Sequence, residues 1–135
     1  MIPQLIIALT LVAEAGGIDD PEAMSRVLTV IGNRAEYSNK GTSTYETLAV
    51  ECLRPNQFSC WNDPKLIERA KKHPKLGLAL AMLKYPGSRN KQVGKARHYL
   101  SHKLYFSKKC PKWAKTGRIT YDEGPKGHVF LEGVK

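Results

Sequence analysis

The chain has 135 residues, of which 41% are hydrophobic and 25% charged, and a formal net charge of +10 at pH 7. These proportions suit a single folded domain, 1–135, with one core, and they exclude wholesale disorder. No apolar run approaches the roughly 20 residues of a membrane-spanning helix, so no transmembrane segment is expected.

The first element is the most apolar. Leu5, Leu9 and Val12 fall at helical spacing, and Ile6, Ile7 and Leu11 extend the apolar surface beyond one face, which predicts a buried helix. Glu14 stands at its end. A carboxyl in an apolar setting is costly to ionise, and a carboxyl that keeps its proton is what a general acid requires, so Glu14 is the first catalytic candidate. The run is short for a secretory signal and has no Lys or Arg ahead of it, so Ala13-Glu14-Ala15 is not read as a cleavage site.

Gly16-Gly17 predicts a stop, and Asp20-Pro21 a second helix with Asp20 as N-cap, buried through Met24, Val27, Leu28 and Ile31. Tyr37 to Ser43 reads as a loop, and Ser43 with Glu46 as a capping box opening a helix through Leu53. Arg54 to Asn62 breaks the helical period and predicts a loop or short hairpin carrying Gln57, Phe58, Ser59 and Trp61. Asp63-Pro64 starts another helix that Pro74 ends. Leu76 to Leu83 is a further helix, closed by Tyr85-Pro-Gly-Ser88. A short helix is expected over Lys95 to Leu104, and an extended segment at Gly127 to Leu131.

Sixteen Lys or Arg residues lie between Lys65 and Arg118 against one acid, Glu68. Such density attracts a polyanion, and charge alone does not name which. No standard nucleic-acid motif appears and the aromatic residues are not regularly interleaved with the basic ones, so nucleic acid is not the expected partner. Three cysteines, Cys52, Cys60 and Cys110, are an odd number and read as reduced core thiols. His98 and His102 are spaced i, i+4 with Cys110 following, but no C-x-x-C or H-E-x-x-H accompanies them; neither metal nor cofactor is expected.

Four separated pieces, Ala13-Glu14-Ala15, Gln57-Phe58-Ser59-Cys60-Trp61, Ala96-Arg97-His98-Tyr99 and Gly127-His128-Val129-Phe130, with Asn33-Arg34, span nearly the whole chain. In order and content they resemble the cell wall hydrolase family typified by bacterial spore-cortex-lytic enzymes. The resemblance implies a lysozyme-like α+β fold, mainly α, with a small irregular or β lobe. It also implies cleavage of peptidoglycan glycan strands, with Glu14 as acid/base and Gln57, Ser59 and Tyr99 lining the cleft; His98 is a further candidate contact. Gly16 departs from the Arg that often follows the catalytic Glu-Ala in relatives, and Arg97-His98 departs from the usual small residues before the tyrosine.

Glycosidic cleavage needs a proton for the departing oxygen, and a hydrolase normally adds a second carboxylate. Asp19 and Asp20 are the nearest in sequence, with Asp20 also explained by capping. A lytic transglycosylase needs only one carboxyl, because the muramic acid C6 hydroxyl attacks in place of water. The expectation is therefore a monomeric lytic transglycosylase, with a water-using muramidase as the alternative and a basic nucleic-acid-binding protein as the rival of a different class. The compact length fits a phage endolysin or virion-associated lysin, made in the host cytoplasm and acting at the periplasmic wall. Its basic Lys65–Arg118 region would serve attraction to anionic envelope polymers.

Overall fold

The computed structural model describes residues 1–41, 43–85 and 89–135, and has a mainly helical α+β fold. Helix α1 (Pro3–Ala15) runs through the centre, packed against α2 (Ala23–Ser38), α3 (Tyr45–Leu53), α4 (Pro64–Lys71) and α5 (Leu76–Met82). Its apolar residues on every side explain that position: Ile6 through Val12 are all buried. The polar member of that run, Thr10, donates to the Ile6 carbonyl at 2.8 Å and accepts from Trp61 Nε1 at 2.9 Å, so its burial leaves no hydroxyl unpaired. None of the described helices is long and apolar enough to cross a membrane.

Local signals account for most helix ends. Asp63 caps α4 by accepting the Lys65 N–H, with Pro64 at the first helical position, as predicted. The capping box of α3 sits one residue later than the Ser43 and Glu46 pattern: Thr44 and Thr47 exchange the reciprocal bonds. Asp20 is not the N-cap of α2. The helix begins at Ala23, and Asp20 instead accepts the Glu22 N–H at 2.9 Å and holds Arg26 at 2.6 Å. Gly16 ends α1 in right-handed geometry, and a Cβ there would meet the Val12 carbonyl oxygen at 2.6 Å. That close approach gives a local reason for glycine. Of the turn expected at Tyr85–Ser88, Pro86 to Ser88 lie outside the described residues, as does Thr42 of the expected Tyr37–Ser43 loop.

The sheet is antiparallel in the order β1-β3-β2, from β1 (His98–Ser101), β2 (Arg118–Asp122) and β3 (His128–Glu132). β1 corrects the helix expected over Lys95 to Leu104. Tyr99 pairs with Phe130 and Leu100 with Val129, so pairing with the distant β3 overrides the local helical spacing, and helix α6 (His102–Tyr105) follows only afterwards. The extended segment predicted near the end is β3. β2 has no counterpart in the sequence reading.

Strand alternation gives the sheet two apolar faces. Leu100, Val129 and Leu131 pack with Tyr105 and Ala114 of the segment that wraps the sheet. Phe130 faces the other way, onto Val30 of α2 with Val93 and Ala96. Helix α2 thus belongs to both halves: Val27, Leu28 and Ile31 join the helical core while Val30 meets the sheet.

Candidate active site

Two side chains of α2 hold the backbone that leads into β1. Asn33 Nδ2 donates to the Gly94 and Ala96 carbonyls, both at 2.9 Å, and Arg34 Nε donates to the Arg97 carbonyl at 2.5 Å. Two turns earlier, Arg26 binds Asp20 at 2.6 Å and Glu123 at 2.9 Å, with Tyr121 and Gln92 as further acceptors. These contacts hold the strand that carries Tyr99 at a set distance from the end of α1.

The result is a contact across 85 positions: the Tyr99 hydroxyl donates to Glu14 Oε1. The Tyr99 ring packs on His128 and Phe130, with centroids 4.7 and 5.5 Å away. Burial, and then the neighbouring Glu14 carboxyl, push the Tyr99 hydroxyl well above its ordinary range. It therefore stays protonated and acts as a donor. The contact engages Oε1 of the Glu14 carboxyl. Glu14 itself is half-buried, between exposed Ala13 and buried Ala15, so the end of α1 opens to a ligand on one side.

Beside this pair lies a cleft of about 410 Å³ walled by Arg34, Glu51, Arg54, Gln57, Arg97 and His98, with Tyr37 at its edge. Whereas Tyr99, expected in its wall, and Glu14 do not line this cleft, Gln57 and the further candidate His98 do. Ser59 does not join them; it is exposed at the start of the 3-10 helix Ser59–Asn62 and is not part of this wall. Arg34 is the link between cleft and pair. Burial lowers its pKa, while the nearby Tyr99, Glu51 and Glu14 favour its charge. Its Nη1 is buried without a hydrogen-bond partner among the described residues. Arg97 lays its guanidinium over the Tyr37 ring at 3.7 Å, forming a flat, polar-edged wall. Burial, followed by Arg34 and Arg97, lowers the His98 pKa and favours a neutral ring, which rests against Trp113.

Glu51 is the cleft residue that sequence reasoning missed. It is 3% exposed and accepts from Arg54 Nε at 2.9 Å. The signal was available: Leu48-Ala-Val-Glu51-Cys-Leu53 places a carboxyl in an apolar helix, as the first helix does with Glu14. Asp20 is committed to Arg26, and Asp19 is exposed beyond the end of α1.

The cysteines are free thiols. Burial pushes Cys52 and Cys60 up to about 12, so neither offers a thiolate nucleophile near neutral pH. His102 pairs with Asp122 at 2.7 Å and Cys110 Sγ approaches the Pro111 carbonyl, and among the described residues no three potential ligand side chains gather around one point. Comparison with protein-family models, with characterised proteins and with solved structures finds no match to this chain.

Proposed function

We propose that this protein cleaves the β-1,4 bond between N-acetylmuramic acid and N-acetylglucosamine in peptidoglycan, as a lytic transglycosylase with Glu14 as acid and then base. The observation that carries the reading is the Tyr99–Glu14 hydrogen bond. A tyrosine that holds one carboxyl oxygen orients the other toward a leaving group, the arrangement a single-carboxyl mechanism needs. Protonated Glu14 gives its proton to the bridging oxygen as the bond from that oxygen to the muramic acid C1 breaks, and the N-acetylglucosamine leaves as the alcohol. The resulting carboxylate then takes the proton from the C6 hydroxyl as that oxygen closes onto C1, forming the anhydro ring. Acid and base are the same group, so the cycle returns Glu14 protonated.

The cleft suits such a substrate. Gln57 donates and accepts, His98 offers a neutral ring, and Tyr37 with Arg97 presents an aromatic face edged by a guanidinium, groups that match N-acetyl and hydroxyl substituents. A protein with this activity is a lysin of lysozyme-like design. The setting that suits it is a phage lysin, synthesised in the host cytoplasm or carried in the virion, that acts as a monomer at the periplasmic wall.

A second reading rests on Glu51. A buried carboxyl in the same cleft, bonded to Arg54, is the second acidic group a hydrolytic muramidase would use to activate water or stabilise the oxocarbenium-like transition state. Mass spectrometry of fragments released from purified peptidoglycan separates the readings. Anhydro-muramyl ends that fall about a thousandfold in Glu14→Gln are expected. Reducing ends one water heavier would move the assignment to the muramidase with Glu51. Release of no fragments by wild type would overturn both, and would bring the polyanion-binding rival forward.

A further inference from the structure

The segment that covers the outer face of the sheet, 102–116, leaves large apolar side chains in solvent. Phe106 is 58% exposed, Trp113 39% and Leu104 36%. Exposure of single apolar residues is ordinary, but three within one short wrapped segment form a patch. Around them stand the exposed Lys103, Lys108, Lys109 and Lys112. Lys115 places its ammonium 3.6 Å from the Tyr105 ring centroid and 5.7 Å from that of Phe106, which joins α6 to the 3-10 helix Lys112–Thr116. Asp122 is held by His102 at 2.7 Å, and the His102 ring packs on Phe106 at 4.6 Å. The patch is therefore positive at its rim and apolar at its centre.

We infer that this patch docks on an anionic phospholipid bilayer, with Leu104, Phe106 and Trp113 entering the headgroup and acyl boundary and the flanking lysines on lipid phosphates. Charge complementarity supplies the long-range attraction, and lysine stems bury their methylenes while the ammonium stays at the phosphate level. Tryptophan and phenylalanine beside lysines are the composition of an interfacial anchor. A nucleic acid would use the lysines and a stacking ring, but it has no use for Leu104, and both His102 and Tyr105 already pack on Phe106. None of the three apolar residues lines the cleft, although Trp113 adjoins it by resting against His98 of its wall.

The test is partition of the full chain onto large unilamellar vesicles of phosphatidylglycerol and phosphatidylethanolamine, with phosphatidylcholine vesicles and soluble heparin as comparisons. Binding to the anionic vesicles is expected, with a blue shift of tryptophan emission that Trp113→Phe removes while binding persists. Phe106→Ser should lower partition about tenfold, and Lys108→Gln with Lys109→Gln about thirtyfold. Heparin binding should respond to the lysine changes and ignore Phe106→Ser. Equal vesicle binding by Phe106→Ser and wild type, or no blue shift on anionic vesicles, would overturn the proposal in favour of a purely electrostatic polyanion site. The lysine variant, altered only at exposed side chains, guards against a folding defect in the phenylalanine variant.

Discussion

Helix α2 presents two arginines to the sheet two turns apart, and they are treated differently. Arg26 is 4% exposed; its Nε is buried without a partner among the described residues, but both terminal nitrogens are bonded, one to Asp20 and Glu123 and the other to Gln92 and Tyr121. Arg34 bonds through Nε to a backbone carbonyl, while its Nη1 has no partner among the described residues and its neighbours Glu14 and Glu51 are held by Tyr99 and Arg54. A buried guanidinium bonded directly to two carboxylates is a fastener. A buried guanidinium with no carboxylate bonded to it among the described residues, on the wall of a cleft, leaves a terminal nitrogen available to a ligand. One helix thus presents a fastener and a wall of the candidate site about two turns apart.

The sharpest way to break this comparison is to remove one carboxylate from each cluster. Glu14→Gln should cost about a thousandfold in fragment release while the urea midpoint stays near wild type. Glu123→Gln should do the reverse. Its side chain is 1% exposed, and losing its charge leaves Arg26 underpaired, so a loss of about 3 kcal/mol in urea unfolding is expected, with activity following only the folded fraction. If Glu123→Gln were as stable as wild type, the fastener reading of Arg26 would fail.

Tyr99→Phe sharpens the comparison inside the site. It keeps the ring against His128 and Phe130 and deletes the donor to Glu14, so activity should fall by about 10- to 100-fold with little change in substrate affinity, read as kcat against KM. A loss confined to KM would mean that Tyr99 only binds sugar.

The smallest effect is on acid stability. The hydrogen bond from Arg26 draws Asp20 below the usual carboxylate range; for Glu123, burial works upward, but His128 and Arg26 outweigh it. Folded-state values below the unfolded ones mean stability that is complete above about pH 5 and lost as pH falls through the folded values, below about pH 4. Asp20→Asn should lower the urea midpoint at pH 7 by about 1 kcal/mol equivalent and flatten the decline on acidification. An unchanged acid limb would show that the loss of stability lies with other carboxylates.

What could be read in the sequence was local. The buried stripe of α2, the Asp63-Pro64 start and the all-round apolar α1 are set by neighbours within a turn or two, and each took its expected form. β1 was not of that kind: Tyr99 and Leu100 fit a helical spacing as well as a strand, and only β3 decides between them. β2 was hidden because its residues are largely exposed and irregular, with a register shift between Ile119 and Tyr121. The site divides the same way. Glu14 was conspicuous as a carboxyl closing an apolar run, and Gln57 and His98 followed from a pattern of pieces. That Arg34 sits between pair and cleft, that Glu51 belongs to the cleft and that Ser59 lies outside its wall depend on packing between distant segments.

The strand order β1-β3-β2 carries a consequence for the living chain. The middle strand follows both of its neighbours in the sequence, so during synthesis β1 and β2 emerge with no partner between them. The helical bundle around α1 can collapse early, because its contacts are made among residues before position 84. Tyr99 cannot be held beside Glu14 until residues 128–132 leave the ribosome and slot between the waiting strands. The nascent chain therefore carries Glu14 long before it carries the contact from Tyr99, which waits on the emergence of β3.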